Sequence, residues 1–86
     1  MTAQYMAQRI ADYRATGADD AYDTYDWREG APPRAVDLAA DYAMSHAWED
    51  MDHPHRFLLA EVWAEGYFET ASRIYAARIA EENANA

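Results

Sequence analysis

The sequence predicts a small all-α bundle of three long helices, with a short helix or ordered aromatic loop between the first two. Three observations carry this. Apolar residues recur at i, i+4 and i+7, and nowhere do they alternate with polar ones as a half-buried strand requires. Gly and Pro fall at Gly17, at Gly30–Pro33 and at Pro54, cutting the 86 residues into helix-length pieces. Finally, 51% of the residues are hydrophobic, and 7 Tyr, 3 Trp and 2 Phe supply large side chains for a core. A chain so apolar folds rather than staying disordered.

The first helix is expected from a Thr2 cap to about Ala15, with Met6, Ile10 and Tyr13 along one face and Gly17 as its stop signal. From Asp19 to Gly30 an Asp-rich start and a terminal Gly suit a helix of about two turns. Its aromatic content (Tyr22, Tyr25, Trp27) suits an ordered loop equally. Ala31-Pro32-Pro33 breaks the chain, and Pro33 suits the first position of a third helix running to about Met51. There Val36, Ala40, Ala43, Met44, Ala47 and Met51 share an arc of about 100° that reads as the core face. Asp37, Asp41, Trp48 and Asp52 form an acidic arc beside it.

The last helix is expected from Pro54 to about Glu82. Ala60, Trp63, Ala64, Tyr67, Phe68, Ala71, Ile74 and Tyr75 make its core arc. Its opening turns, Phe57 to Trp63, are apolar nearly all round, a pattern of helices buried centrally or at a subunit interface. Gly66 interrupts it, at a cost of about 1 kcal/mol relative to Ala.

At this length the chain is one domain, residues 1–86, with a thin core that buries roughly 60–65% of the unfolded surface. Without Cys it has neither disulfides nor a Cys-based zinc site. No segment approaches the ~18 apolar residues of a membrane span, and the first residues lack the basic start and apolar run of a signal peptide. A cytoplasmic location and no membrane partner are the expectations. Sixteen Asp and Glu face seven Arg and no Lys, for a formal net charge of -9. Direct nucleic-acid binding is not expected, because phosphate contacts need Lys and Arg. An Ala-rich, Lys-free composition also fits a GC-rich genome, and acidity alone would fit adaptation to high salt.

The sharpest constellation is Glu61, Glu65 and Glu69, spaced i, i+4, i+8 and thus stacked about 6 Å apart on one helix face. Like charges at that spacing destabilise a helix by roughly 0.2–0.5 kcal/mol per pair. Arg73 can relieve Glu69, whereas nothing within the helix relieves Glu61 and Glu65. Asp37 and Asp41 repeat the pattern. Rows of carboxylates at this spacing resemble the phosphates of a nucleic-acid strand, and Trp48 among them would supply an aromatic anchor. An ordinary solvated helix face reads the same way in sequence.

Catalytic chemistry finds less support. His46, Glu49, Asp50, Asp52, His53 and His55 offer an N/O ligand set for zinc, nickel or manganese, without the spacing of an established metal motif. Glu65 and Glu69 with Asp37 and Asp41 could hold Mg²⁺ for a hydrolase, yet no Lys accompanies them. Two Ser and three scattered Gly furnish neither a nucleophilic triad nor a phosphate loop.

Val62-Trp63-Ala64-Glu65-Gly66-Tyr67, with the Ala-rich run to Glu81-Glu82-Asn83, resembles the C-terminal part of small uncharacterised proteins of actinobacterial phages. The chain departs from their pattern at Phe68-Glu69-Thr70, where a second Gly often stands. The resemblance implies an origin and carries no catalytic residue over.

The reading that follows is a non-enzymatic interaction protein, a phage or mobile-element inhibitor of a host protein, without a cofactor. Glu61, Glu65, Glu69, Asp37, Asp41 and Trp48 are the expected contacts, and the target is a protein with a basic, nucleic-acid-binding surface. A second reading is a structural or regulatory module that self-associates through Leu58, Leu59 and Val62, which lie off the main core arc. A third is the metal-assisted hydrolase.

Overall fold

A computed structural model describes residues 3–45 and 56–85. Helix α1 spans Ala3–Thr24, a single 3₁₀ turn spans Trp27–Glu29, α2 spans Ala35–Ser45 and α3 spans Arg56–Ala84. No strand occurs among the described residues, so the all-α bundle is confirmed. The longest helix, α3, is the spine, and α1 and α2 each pack along it. Its 29 residues reach about 44 Å at 1.5 Å per residue. From residue 76 onward it is exposed apart from half-buried Ile79, giving an elongated molecule of 54 × 25 × 18 Å.

Helix α1 corrects the expected stop at Gly17. It runs straight through that residue and absorbs Asp19–Thr24, the first half of the expected second helix. A glycine ends a helix by adopting a left-handed conformation, and only Gly30 has a positive φ among the described residues. Gly17 is buried for another reason. A Cβ built on it would overlap the Trp63 carbonyl oxygen and lie 2.9 Å from that carbonyl carbon. Gly66 answers from α3, where a Cβ would overlap the Arg14 carbonyl oxygen and lie 3.1 Å from its carbon. The two glycines let α1 and α3 cross with backbone against backbone. This contact offsets what each loses in helix propensity.

The last turns of α1 are acidic, although a helix C-terminus repels carboxylates. Tertiary contacts hold it instead. The Trp63 indole N–H donates to Asp20 Oδ2 at 2.8 Å, Thr24 Oγ1 and the Tyr67 hydroxyl lie 3.0 Å apart, and Thr24 also donates to the Asp20 carbonyl at 2.8 Å. Beyond it, the expected two-turn helix is a single 3₁₀ turn. Asp26 caps that turn by accepting from the Arg28 amide at 3.0 Å, and the Gly30 N–H donates to the Trp27 carbonyl at 3.2 Å. Gly30 closes the turn at φ 119°, a conformation side chains resist. The Tyr25 hydroxyl then donates to the Gly30 carbonyl at 2.7 Å.

Helix α2 begins at Ala35 rather than Pro33, with the Arg34 carbonyl accepting its first amide bonds from Asp37 and Leu38. Its expected continuation to Met51 lies outside the described residues. The helix is also rotated by about a third of a turn from the expected orientation, at 100° per residue. Ala35, Leu38, Ala39 and Tyr42 pack on the core, while Val36 is 64% and Met44 80% exposed and Ala40 is exposed too. The reason is aromatic. Tyr42 stacks on Trp63 at 4.3 Å and 20°, Trp63 meets Tyr67 at 5.2 Å, and Tyr13 meets Tyr42 edge-on at 6.5 Å. A ring stack of this kind contributes about 0.5–1.5 kcal/mol beyond its buried area. Seating Val36 and Met44 inward would forfeit it.

On α3 the expected core arc holds at Ala60, Trp63, Ala64, Tyr67 and Ala71, with Ile74 and Tyr75 half-buried and Phe68 at the surface. The buried face is wider than expected, because Leu59, Val62 and Thr70 join it.

Candidate functional site

The outward face of α3 carries Glu61, Glu65 and Glu69, all three exposed, as their i, i+4, i+8 spacing dictates. Two of them have cationic neighbours. Arg14 crosses from α1 to reach Glu65 at 3.0 Å, and Arg73 reaches Glu69 at 3.1 Å from one turn away. The first pair supplies the relief of Glu65 that nothing in α3 itself could give. On α2, Arg34 grips Asp37 through two nitrogens at 3.1 and 3.5 Å. All of these pairs are substantially exposed, a setting in which an ion pair contributes about 0–1 kcal/mol. Among the described residues no ion pair reaches Glu61 or Asp41, and both stand at the surface. Trp48 lies outside the described residues, as does the whole His46–His55 cluster.

The acidic sites therefore divide between helices. Asp37 and Asp41 stand on α2, and the glutamates on α3. Glu65, Glu69, Asp37 and Asp41 do not assemble into a metal-holding group, and no cluster of three or more His, Asp or Glu among the described residues does.

The rotation of α2 creates a feature the sequence reading missed. Val36, Ala40, Ala43 and Met44 turn away from the core and face Phe57 and Ala60 across an open groove of about 710 Å³. Ala35 and Ala39 complete its floor, Arg56 stands on the α3 side, and Glu61 and Glu65 form the acidic edge. Phe57 is 62% exposed, with the Arg56 guanidinium 4.8 Å over its ring. The signal for this groove was present in the opening turns of α3, apolar nearly all round. The sequence places it on Leu58, Leu59 and Val62, but Leu59 (1%) and Val62 (5%) are covered within the chain. Of these three only Leu58, 40% exposed, remains available for a partner.

A second hollow, of about 500 Å³, follows the glycine crossing between α1 and α3. Ala7, Ala11, Ala15, Ala18 and Gly66 make half of its lining, and Arg14, Glu69 and Arg73 line it as well.

Among the described residues two titrating groups are shifted, both near the 3₁₀ turn. Asp26 lies below the ordinary carboxylate range, chiefly because the Arg28 amide donates to it and then because the Arg28 guanidinium does. Tyr25 lies above the ordinary phenol value, chiefly through desolvation and then through Tyr75, Tyr67 and Asp26 nearby. Both are structural, since each holds the turn.

No family model matches this chain, and no curated protein or solved structure proved similar to it. No helix among the described residues is long and apolar enough to cross a membrane.

Proposed function

We propose that this chain is a non-enzymatic protein-binding module that presents the outer face of α3 to a basic surface on another protein. In the setting that the Trp63–Tyr67 resemblance implies, it is a phage or mobile-element inhibitor of a host protein whose groove otherwise holds nucleic acid. The observation that carries the reading is the exposure of Glu61, Glu65 and Glu69 in one row along the longest helix of the molecule. A net charge of -9 adds long-range attraction to any basic partner. Glu61 contributes most per residue, because Arg14 and Arg73 partly screen the other two. The ion pairs still leave the row accessible, and an arginine on the partner can exchange for Arg14 or Arg73 at little cost.

The test is capture from a GC-rich bacterial lysate with stepwise salt elution, comparing wild type with the triple variant E61Q/E65Q/E69Q. Identified partners are then challenged with duplex DNA as competitor. A basic protein held by wild type, lost by the variant, eluted by moderate salt and displaced by DNA is the expected result. Equal retention by both chains would refute the acidic-row reading.

A further inference from the structure

The groove between α2 and α3 is lined mainly by apolar side chains. Val36 (64%), Met44 (80%) and Phe57 (62%) are among the most exposed large hydrophobic residues of those described, and all three line it. Scattered apolar side chains need no explanation, but a contiguous apolar hollow marks a contact surface. Its floor is alanine at 35, 39, 40, 43 and 60, so the groove supplies space and the visitor must supply bulk.

Length points to the form of the visitor. Val36 to Met44 is eight residue steps, about 12 Å along the helix axis. The apolar anchors of a docked helix at i, i+4 and i+7 span about 10.5 Å by the same rise, which matches the groove.

Charge points to its composition. The α3 edge of the groove carries Glu61, Glu65, which Arg14 already meets at 3.0 Å, and one cation, Arg56, whose guanidinium lies over the Phe57 ring, on a chain of net charge -9. A second copy would bring a second charge of -9, with its own glutamate edge, against the first. Like-charge juxtaposition suppresses such pairing. A cationic segment gains from the same edge.

We infer that this groove docks a basic amphipathic helix of a partner protein. Large apolar side chains fill the hollow over Ala40, Ala43 and Met44, and Lys or Arg side chains reach Glu61 and Glu65. The inference rests on the reading that the partner is a basic protein. It goes beyond that reading in naming the partner's secondary structure and in placing the main contact in the groove rather than on the acidic row.

The experiment uses the full 86-residue chain and a synthetic probe. The probe is an 18-residue peptide with Leu at i, i+4, i+7 and i+11 and Lys on the remaining face. A scrambled peptide of the same composition lacks the apolar stripe. Titration is followed by calorimetry and by the NMR shifts of the Met44 and Val36 methyl groups. Ala40→Glu and Met44→Glu place a charge in the groove at exposed positions, and circular dichroism verifies that each variant keeps its helix content.

The patterned peptide is expected to bind and to shift both sets of methyl signals. Either groove variant should weaken it at least tenfold, and E61Q should weaken it several-fold and flatten its salt dependence. Equal affinity for the scrambled peptide, or unchanged affinity in both groove variants, would overturn the groove inference. It would leave the acidic row standing if E61Q/E65Q/E69Q still abolished binding. If the patterned peptide does not bind, the inference is overturned too, and the lysate capture then judges the acidic row separately. A dimer in sedimentation that Ala40→Glu dissolves would make the occupant a second copy, which also overturns it.

Discussion

Replacing Gly17 with alanine sets two effects of known size against each other. In an isolated helix the change stabilises by about 1 kcal/mol. In this fold the new Cβ overlaps the Trp63 carbonyl oxygen, a backbone atom that no rotamer change can move. The helices must separate by about an ångström to restore ordinary contact. Separation stretches the bonds that tie α1 to α3, the Trp63 indole to Asp20 at 2.8 Å and Thr24 to Tyr67 at 3.0 Å. Overpacking costs typically 1–3 kcal/mol, and each weakened hydrogen bond about 1 kcal/mol. Set against the propensity gain, the expected net loss is roughly 2–4 kcal/mol. In a domain this small each kcal/mol moves the melting temperature by about 4–8 °C, so the midpoint should fall by roughly 8–32 °C.

Thermal unfolding followed by far-ultraviolet circular dichroism reads this directly. Gly66→Ala should behave alike, since its Cβ overlaps the Arg14 carbonyl oxygen. The double variant should lose less than the two single losses combined, because helices already separated by one methyl accommodate the second. A melting temperature that rises or stays unchanged in Gly17→Ala would refute the backbone crossing.

Asp20→Ala should destabilise by about 1–3 kcal/mol and shift the Trp63 fluorescence, by leaving the part-buried indole N–H without its acceptor. Asp20→Asn, which keeps an acceptor and removes a charge from an acidic helix end, should lose less in the same melt. Asp26 has a depressed folded pKa, so its contribution is present above the unfolded carboxylate value and is lost as pH falls through the lower folded value. In an acid titration Asp26→Ala should therefore remove the share of the stability loss that Asp26 contributes. Tyr25 has a raised folded pKa, so folding favours the neutral phenol. Stability should be full below the unfolded phenol value and decline as pH rises towards the folded one, with late ionisation of one tyrosine in absorbance at about 295 nm checking it.

How much was legible follows from what each signal measures. The apolar period of α3 identified its core face correctly at Trp63, Ala64, Tyr67 and Ala71, because that helix packs on two sides and its widest apolar arc has to be covered. The same rule failed on α2. Its sequence offers two apolar strips, and periodicity weighs Val36 and Met44 as heavily as Leu38 and Tyr42. Only the position of the Trp63 ring decides between them. The glutamate row was legible in full, since i, i+4 spacing fixes a shared face in any helix. Its partners were half legible, because Arg73 is local and Arg14 comes from 51 residues away.

The sequence by itself determined that this chain is helical, acidic, free of disulfides and bound to carry Glu61, Glu65 and Glu69 on one outward line. Those properties depend on composition and on a 3.6-residue period, which are local. Tertiary structure decided where α1 ends, which strip of α2 packs and that an apolar groove opens beside the acidic edge. Gly17 and Gly66 explain why. Each reads alone as a helix breaker, and each becomes a contact only when the other's backbone arrives across 49 residues of chain.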